Sequence, residues 1–453
     1  MRPGWWWQLS FEVRSNNTAV HPAPVPPPRT RAGRFVAQAP PIVNKFIAVV
    51  VLVIVAMRLD IDQGVTVGAV ACVALFPVWF PVLRQYWGAR LFLLAGVIAI
   101  GSGIWLTALS APTHDTSLGQ AFGLIAGLVG LLSGVGFVLW ARTVLPDSQI
   151  AIWFGAGILL GVSPTSELYA ENPWRFGYSV ALTILLLGIT LQLRRRWLEL
   201  AVALLLTVVA TVTDARSTFA FMLLTVLLVA WQMRPTRPTR GKSALRALLG
   251  LGALALIVFN VIQALILDGA LGEATQQRTL AQLEETGSLI LGGRPELTAT
   301  IALMQHQPWG FGVGIAPNPE DILAAKTGMA SINYDPNNGY VENYMFGGHV
   351  ELHSIIGDFW AGFGLPGLLL ALIILVLIVR SIGVHVAANT ASAVLLYLGV
   401  KAVWFLFFGP FFSSSVLLVL VLGLLITRRV PTETDAALLR PTLPGATPVR
   451  FRQ

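Results

Sequence analysis

Residues 359–379 read FWAGFGLPGLLLALIILVLIV and contain no charged side chain. A run of about 20 apolar residues is what a helix needs to cross the hydrocarbon core of a bilayer. In lipid the backbone must satisfy its own hydrogen bonds, which leaves helices and closed barrels. A continuous apolar run without period-two alternation is the helix of the two. Upstream the character changes: from Asp268 to His353 the chain is polar by comparison, and nine further apolar runs precede that stretch, while two follow the quoted segment.

Composition agrees. Hydrophobic residues make up 55% of the 453 and charged residues 11%, with a mean hydropathy of +0.72, which excludes a large soluble core. The formal charge of +8 lies in short connections between apolar runs, so it encodes orientation rather than a nucleic-acid partner. Cys72 is the single cysteine and lies in an apolar run, so neither a disulfide framework nor a cysteine metal site is available.

Hydropathy places spans near 43–58, 63–83, 91–109, 119–141, 150–162, 178–193, 197–213, 217–232, 247–267, 359–379, 391–409 and 411–427. The fold class is therefore an all-α polytopic membrane protein of about twelve transmembrane helices, with one large external loop between the ninth and tenth. Residues 1–41 hold Trp5, Trp6, Trp7 and a proline-rich run from Pro22, a composition that reads as a disordered cytoplasmic tail and lacks the features of a signal peptide. The expected organisation is this tail, helices one to nine over 42–267, an external catalytic loop over 268–358, helices ten to twelve over 359–429, and a cytoplasmic tail over 430–453.

With the N-terminus inside, the inner connections hold Arg84, Arg90, Arg142, Arg194, Arg195, Arg196, Arg234, Arg237, Arg240, Lys242, Arg246, Arg380, Arg428 and Arg429. The short outer connections hold Arg58, Arg175 and Arg216. Fourteen against three, counted from those residues, favours both termini inside and the long loop outside.

Polar residues in one external loop are where chemistry is expected. Arg216 falls in a minimal turn between two apolar runs, at the outer interface. Snorkelling or pairing with Asp214 accounts for it without function, whereas its planar fork also suits two phosphate oxygens at once. Arg294 precedes Pro295 and Glu296, a helix start, after which Leu297, Ile301 and Met304 share a face up to Pro308. Backbone donors at a helix start suit an anion. Gly310, Gly312 and Gly314 form a tight turn rather than a nucleotide motif. His114, His306, His349 and His353 are external, and His353 stands where the chain returns to the membrane. It is either a structural interfacial histidine or a general base, its ordinary pKa being close to physiological pH.

In order and setting, Asp214-Ala215-Arg216-Ser217-Thr218, Arg294-Pro295-Glu296, Met304 through Gly314, and His353 leading into Gly362 through Leu368 resemble the O-antigen ligase and polymerase family of bacterial surface-polysaccharide enzymes. That family commonly has asparagine after the histidine where this chain has Ser354, which keeps His349 as a reserve for His353. The resemblance implies metal-independent glycosyl transfer, with no cofactor, from undecaprenyl diphosphate to a hydroxyl of a glycan, lipid or protein acceptor. The place would be the outer face of the bacterial cytoplasmic (inner) membrane, among membrane lipids and without nucleic acid. It makes His353 the catalytic base and Arg216 and Arg294 the diphosphate-binding pair. Trp309, Tyr340, Tyr344 and Trp360 are candidate sugar-facing rings.

Two other readings stay open. Asp60-Ile61-Asp62 resembles the acidic motif of metal-dependent polytopic glycosyltransferases, with a salt bridge to Arg58 as the plain alternative. Lys401, inside the eleventh span, is the one feature pointing to a polysaccharide or solute transporter.

Overall fold

The computed structural model describes residues 41–213, 215–234, 244–270, 272–347 and 350–429. The predicted tails, apart from Pro41, lie outside the described residues, as do the basic connection 235–243, Asp214 and the reserve His349.

Each predicted apolar segment contains helix, although the second, 63–83, begins in a hairpin and is broken at Leu75. In chain order these are α1 (Pro41–Met57), a bent pair α2 (Val67–Ala74) and α3 (Phe76–Trp79), α4 (Ala89–Ser110), α5 (Leu118–Ala141) and α6 (Asp147–Leu160). After a short α7 (Glu167–Glu171) come α8 (Ser179–Leu193), α9 (Arg196–Val212), α10 (Arg216–Gln232) and α11 (Ala244–Leu267). The polar stretch contributes α12 (Glu273–Thr286), α13 (Leu289–Gly293), α14 (Glu296–His306) and α15 (Pro319–Ala330), before α16 (Ile355–Ala387), α17 (Ala393–Phe408) and α18 (Phe411–Leu425). A two-stranded antiparallel hairpin, β1 (Asp60–Asp62) and β2 (Val65–Thr66), follows α1.

Among the described residues, five helices are individually long and apolar enough to cross a membrane, and the bent pair adds a sixth. The chain is a mostly helical, multi-pass membrane protein. The bend of 57° after Ala74 has a local cause: Pro77 lacks the N–H that would continue the helix by bonding back to Val73.

The two ends of the bundle differ. At one end Arg142 pairs with Asp147 and donates to the Gly423 and Ile426 carbonyls, Arg380 lies over Trp87 and donates to Thr427, and Arg196 donates to Ala391. Arg142 thereby satisfies carbonyls left unpaired at the C-terminus of α18. At the other end sits the polar stretch, which is not a loose loop. It holds a second core of Ala299, Leu303, Ala325, Met329, Val341 and Met345, continued by Phe311 and Trp360, apart from the main core of the bundle.

The expected apolar face of α14 is corrected by this core. Glu296, Ala299, Thr300 and Leu303 are the buried residues, and Ile301 is exposed. The helix packs on α15 and on the start of α16, so a small-residue face is preferred to the bulky one. At Gly328 an added Cβ would stand 2.4 Å from the Thr298 carbonyl oxygen.

The glycine-rich motifs have one joint explanation. α16 breaks at Gly364 (φ 65°, ψ −149°), two residues before Pro366. That break leaves the Ala361 carbonyl for the Phe311 and Gly312 N–H groups, at 2.9 and 3.0 Å. An added Cβ at Gly310 would lie 2.4 Å from the Trp360 carbonyl oxygen, and one at Gly364 2.5 Å from that of Trp309. Only glycine lets the two backbones meet so closely. Ser110 and Thr107 of α4 donate to the Phe311 and Val313 carbonyls and complete the seam.

Lys401 is buried on α17 with its ammonium 5.3 Å from Phe221, 5.9 Å from Tyr397 and 4.9 Å from Phe405. Three ring faces offset part of its desolvation, an arrangement that packs α17 against α10.

Candidate active site

Arg216 is the first residue of α10, directly after the tight turn from α9. Its Nη1 donates to Thr279 Oγ1 of α12 at 3.2 Å, and that hydroxyl donates in turn to the Thr275 carbonyl. Asn172 fixes the turn: its Nδ2 donates to the Thr213 carbonyl at 2.8 Å, and its Oδ1 accepts from the Arg175 N–H at 2.9 Å. Exposed Arg175 is thereby tied to the Arg216 turn.

Arg294 joins α13 to α14. Its Nη1 lies 3.2 Å from Glu296 Oε1, and its guanidinium carbon 5.9 Å from the Trp404 ring centre. Trp404 meets Phe221 of α10 edge-on at 5.7 Å. The Arg294 side chain and the helix that Arg216 begins therefore converge on one aromatic of α17.

Glu296 is 2% exposed, and a carboxylate so buried needs partners. Arg294 supplies one, and the Tyr340 hydroxyl donates to Oε2 at 3.1 Å. Tyr340 and Tyr344 lie in a single π-turn over 340–345, a distortion that recurs at functional sites. Burial raises the Tyr340 phenol above its ordinary value, and the Glu296 carboxylate adds to it, so the ring keeps its proton and donates. Tyr340 packs on Tyr344 at 4.7 Å, and Tyr344 stacks on His353 at 3.9 Å with the planes 19° apart. Burial also raises the Tyr344 phenol; Glu296 and Glu351 add to this while Arg294 and Arg175 oppose it. The sequence-predicted Arg294 and His353 are thus joined through Glu296, Tyr340 and Tyr344.

His353 is buried and adopts a left-handed φ of 52°, costly for a side chain other than glycine and frequent at functional sites. Nδ1 lies 3.1 Å from the Glu351 carbonyl. A carbonyl only accepts, so this contact is a hydrogen bond in the tautomer with the proton on Nδ1, which leaves the lone pair of the neutral ring on Nε2. The Glu351 carboxylate stands 3.5 Å from Nε2, placed to stabilise an imidazolium. Ser354 caps α16, accepting from the Gly357 N–H at 3.2 Å and donating to the Leu406 carbonyl at 3.1 Å. Serine is a preferred cap, so Ser354 fixes the histidine to the start of this helix.

The other predicted residues are placed elsewhere. His114 and His306 both reach Asp321, at 3.0 and 3.4 Å, fastening the end of α4 and the end of α14 to the capping box of α15. Asp60 and Asp62 are exposed on β1. Trp360 is 1% exposed and donates to the Pro308 carbonyl, so it is a core residue and no sugar platform. Trp309 is 66% and Tyr344 49% exposed. Glu296 was read as a helix-start acid and Arg175 only as a topological charge. The carboxylate three residues after a Gly-Gly pair, beside an arginine, was the available signal for the first; none marked the second.

Residues 200–372 match the family model described as O-antigen ligase. The match includes Arg216, Arg294 and His353, so the resemblance to the O-antigen ligase and polymerase family read from the motifs is shown over that stretch. No curated protein and no solved structure matches the chain.

Proposed function

We propose that the protein transfers a glycan from undecaprenyl diphosphate to an acceptor hydroxyl at the outer face of the bacterial cytoplasmic membrane, in surface-polysaccharide biosynthesis. The observation that carries the reading is the contact chain Arg294–Glu296–Tyr340–Tyr344–His353, within a segment that matches the O-antigen ligase family. Negative charge grows on the diphosphate as the anomeric C–O bond breaks. Arg216 and Arg294 bind it, and interactions that strengthen with that charge lower the barrier. The acceptor oxygen forms the new bond to the anomeric carbon and gives its proton to His353 Nε2, whose cation the Glu351 carboxylate stabilises. The lipid diphosphate leaves with the bonding electrons.

This reading takes twelve spans, both termini inside and residues 268–358 as the external catalytic unit. Reporter fusions after Arg196 and Arg429 should report cytoplasm, and fusions at Ala170 and Asp335 the exterior. A cytoplasmic signal at Asp335 would remove the site from the compartment the reaction needs.

In this reading the two arginines carry the diphosphate charge and no cation is required. Transfer in isolated membranes should survive EDTA, and the double variant Asp60→Asn with Asp62→Asn should stay within about threefold of wild type, as for exposed residues off the reaction path. Activity lost to the chelator and restored by Mg²⁺ or Mn²⁺ would move the chemistry to the acidic pair. Lipid-linked glycans accumulating in a deletion strain identify the sugar and separate polymerisation from ligation.

A further inference from the structure

A cavity of about 510 Å³ has Glu351, the ion-pair partner of His353, in its wall. It lies within the range of small-molecule sites, about 300–1,000 Å³. Its walls come from segments far apart in sequence: Gln63 of the hairpin, Gly119 and Gln120 at the start of α5, Phe311 of the glycine turn, Phe412 of α18, and Glu351. Asp358 holds one wall, accepting from the Leu352 and Phe411 N–H groups at 2.8 Å each. Glu351 is common to the cavity and the site: the residue lines the one, and its carboxylate stands 3.5 Å from His353 Nε2 in the other.

The lining selects the chemistry of its occupant. One arginine, Arg58, faces two carboxylates, Glu351 and Asp358, so the cavity has no excess of cations for a diphosphate. Phenylalanine faces suit the apolar faces of sugar rings, while glutamine amides and a carboxylate suit hydroxyls. We propose that this cavity seats the acceptor saccharide, with Glu351 holding the attacking hydroxyl beside Nε2 of His353. The two substrates then approach from different sides, the donor along Arg216 and Arg294 and the acceptor through this cavity. Glu351 becomes a positioning residue for the hydroxyl as well as the partner of the imidazole. This inference rests on the glycosyl-transfer reading.

Gly119 offers the test, because the atoms nearest to an added Cβ there are those of Gln63, at 3.5 Å or beyond, and Gly119 lines the cavity, so a larger group grows toward the space. The native Cys72 is fully buried, so the full-length protein carrying Gly119→Cys can be labelled with benzyl methanethiosulfonate at position 119 in membranes of a deletion strain. Those membranes hold both donor lipid and acceptor, and glycan leaving one and arriving on the other is followed. The labelled aliquot should retain under about a tenth of the transfer of its unlabelled counterpart, the loss expected when a substrate-sized space is filled. Gln63→Ala and Gln120→Ala should each raise the acceptor concentration needed by about two- to tenfold, as for one lost neutral hydrogen bond, with the donor requirement unchanged. Transfer unaffected by verified labelling, or equal shifts in both requirements, would overturn the assignment. Absence of transfer by the wild-type protein in the same membranes would instead reject the glycosyl-transfer reading itself.

Discussion

His353→Ala is expected to lower turnover by about 10²- to 10⁴-fold, the contribution of a positioned proton acceptor, with donor binding largely retained. The expectation follows from the way the ring is held. Its Nδ1 is committed to the Glu351 carbonyl, its face to Tyr344, and its backbone to a left-handed φ directly before the α16 cap. A side chain fixed on three sides presents Nε2 in one direction, which a structural histidine at a membrane surface does not need. Because alanine also removes the stack on Tyr344, His353→Gln serves as the companion variant: it preserves polar bulk but cannot take a proton near pH 7. Both variants should accumulate in the membrane at wild-type level and both should lose transfer. Near wild-type turnover in His353→Gln would dismiss the base. Glu351→Gln should be milder, because it removes the partner of the imidazolium while leaving the base.

Much of this was legible in the sequence because membrane burial writes a coarse signal. Apolar runs fixed the positions of all the long helices, since a helix in lipid has no polar face to interrupt the run. Arg216, Arg294 and His353 stood out against that background by chemistry alone. The second core was not legible: α15 buries Ala325, Gly328 and Met329 beside Asp321, and α14 buries Glu296, Ala299 and Thr300 with Leu303, so the apolar periodicity is weak there. The Tyr344–His353 stack was likewise hidden, because it depends on a π-turn and a left-handed histidine, neither of which has a sequence signature. The exposed face of α14 was misread for a related reason, since Glu296 is buried by its partners Arg294 and Tyr340 and a hydrophobicity pattern counts it as solvent-facing.

Arg216→Lys and Arg294→Lys should each keep the protein in the membrane and lower transfer by about 10- to 100-fold, as when a charged hydrogen bond is lost while the charge stays. Alanine at either place should cost about 10²- to 10³-fold, the scale for removing one group that stabilises developing charge. Lysine is the sharper probe because it separates fork from charge: a compact ammonium cannot bind two phosphate oxygens in one plane. The two arginines differ in their surroundings, which predicts a difference in outcome. Arg294 shares Glu296 with Tyr340 and lies over Trp404, so Arg294→Lys also loosens the Tyr340–Tyr344–His353 chain and should lower kcat as well as raise donor KM. Arg216, at the start of α10, donates to Thr279, and as a diphosphate ligand it should show the Arg216→Lys loss in donor KM. Full activity in both lysine variants would reject diphosphate binding by these residues, and loss of both proteins from the membrane would assign them to the fold.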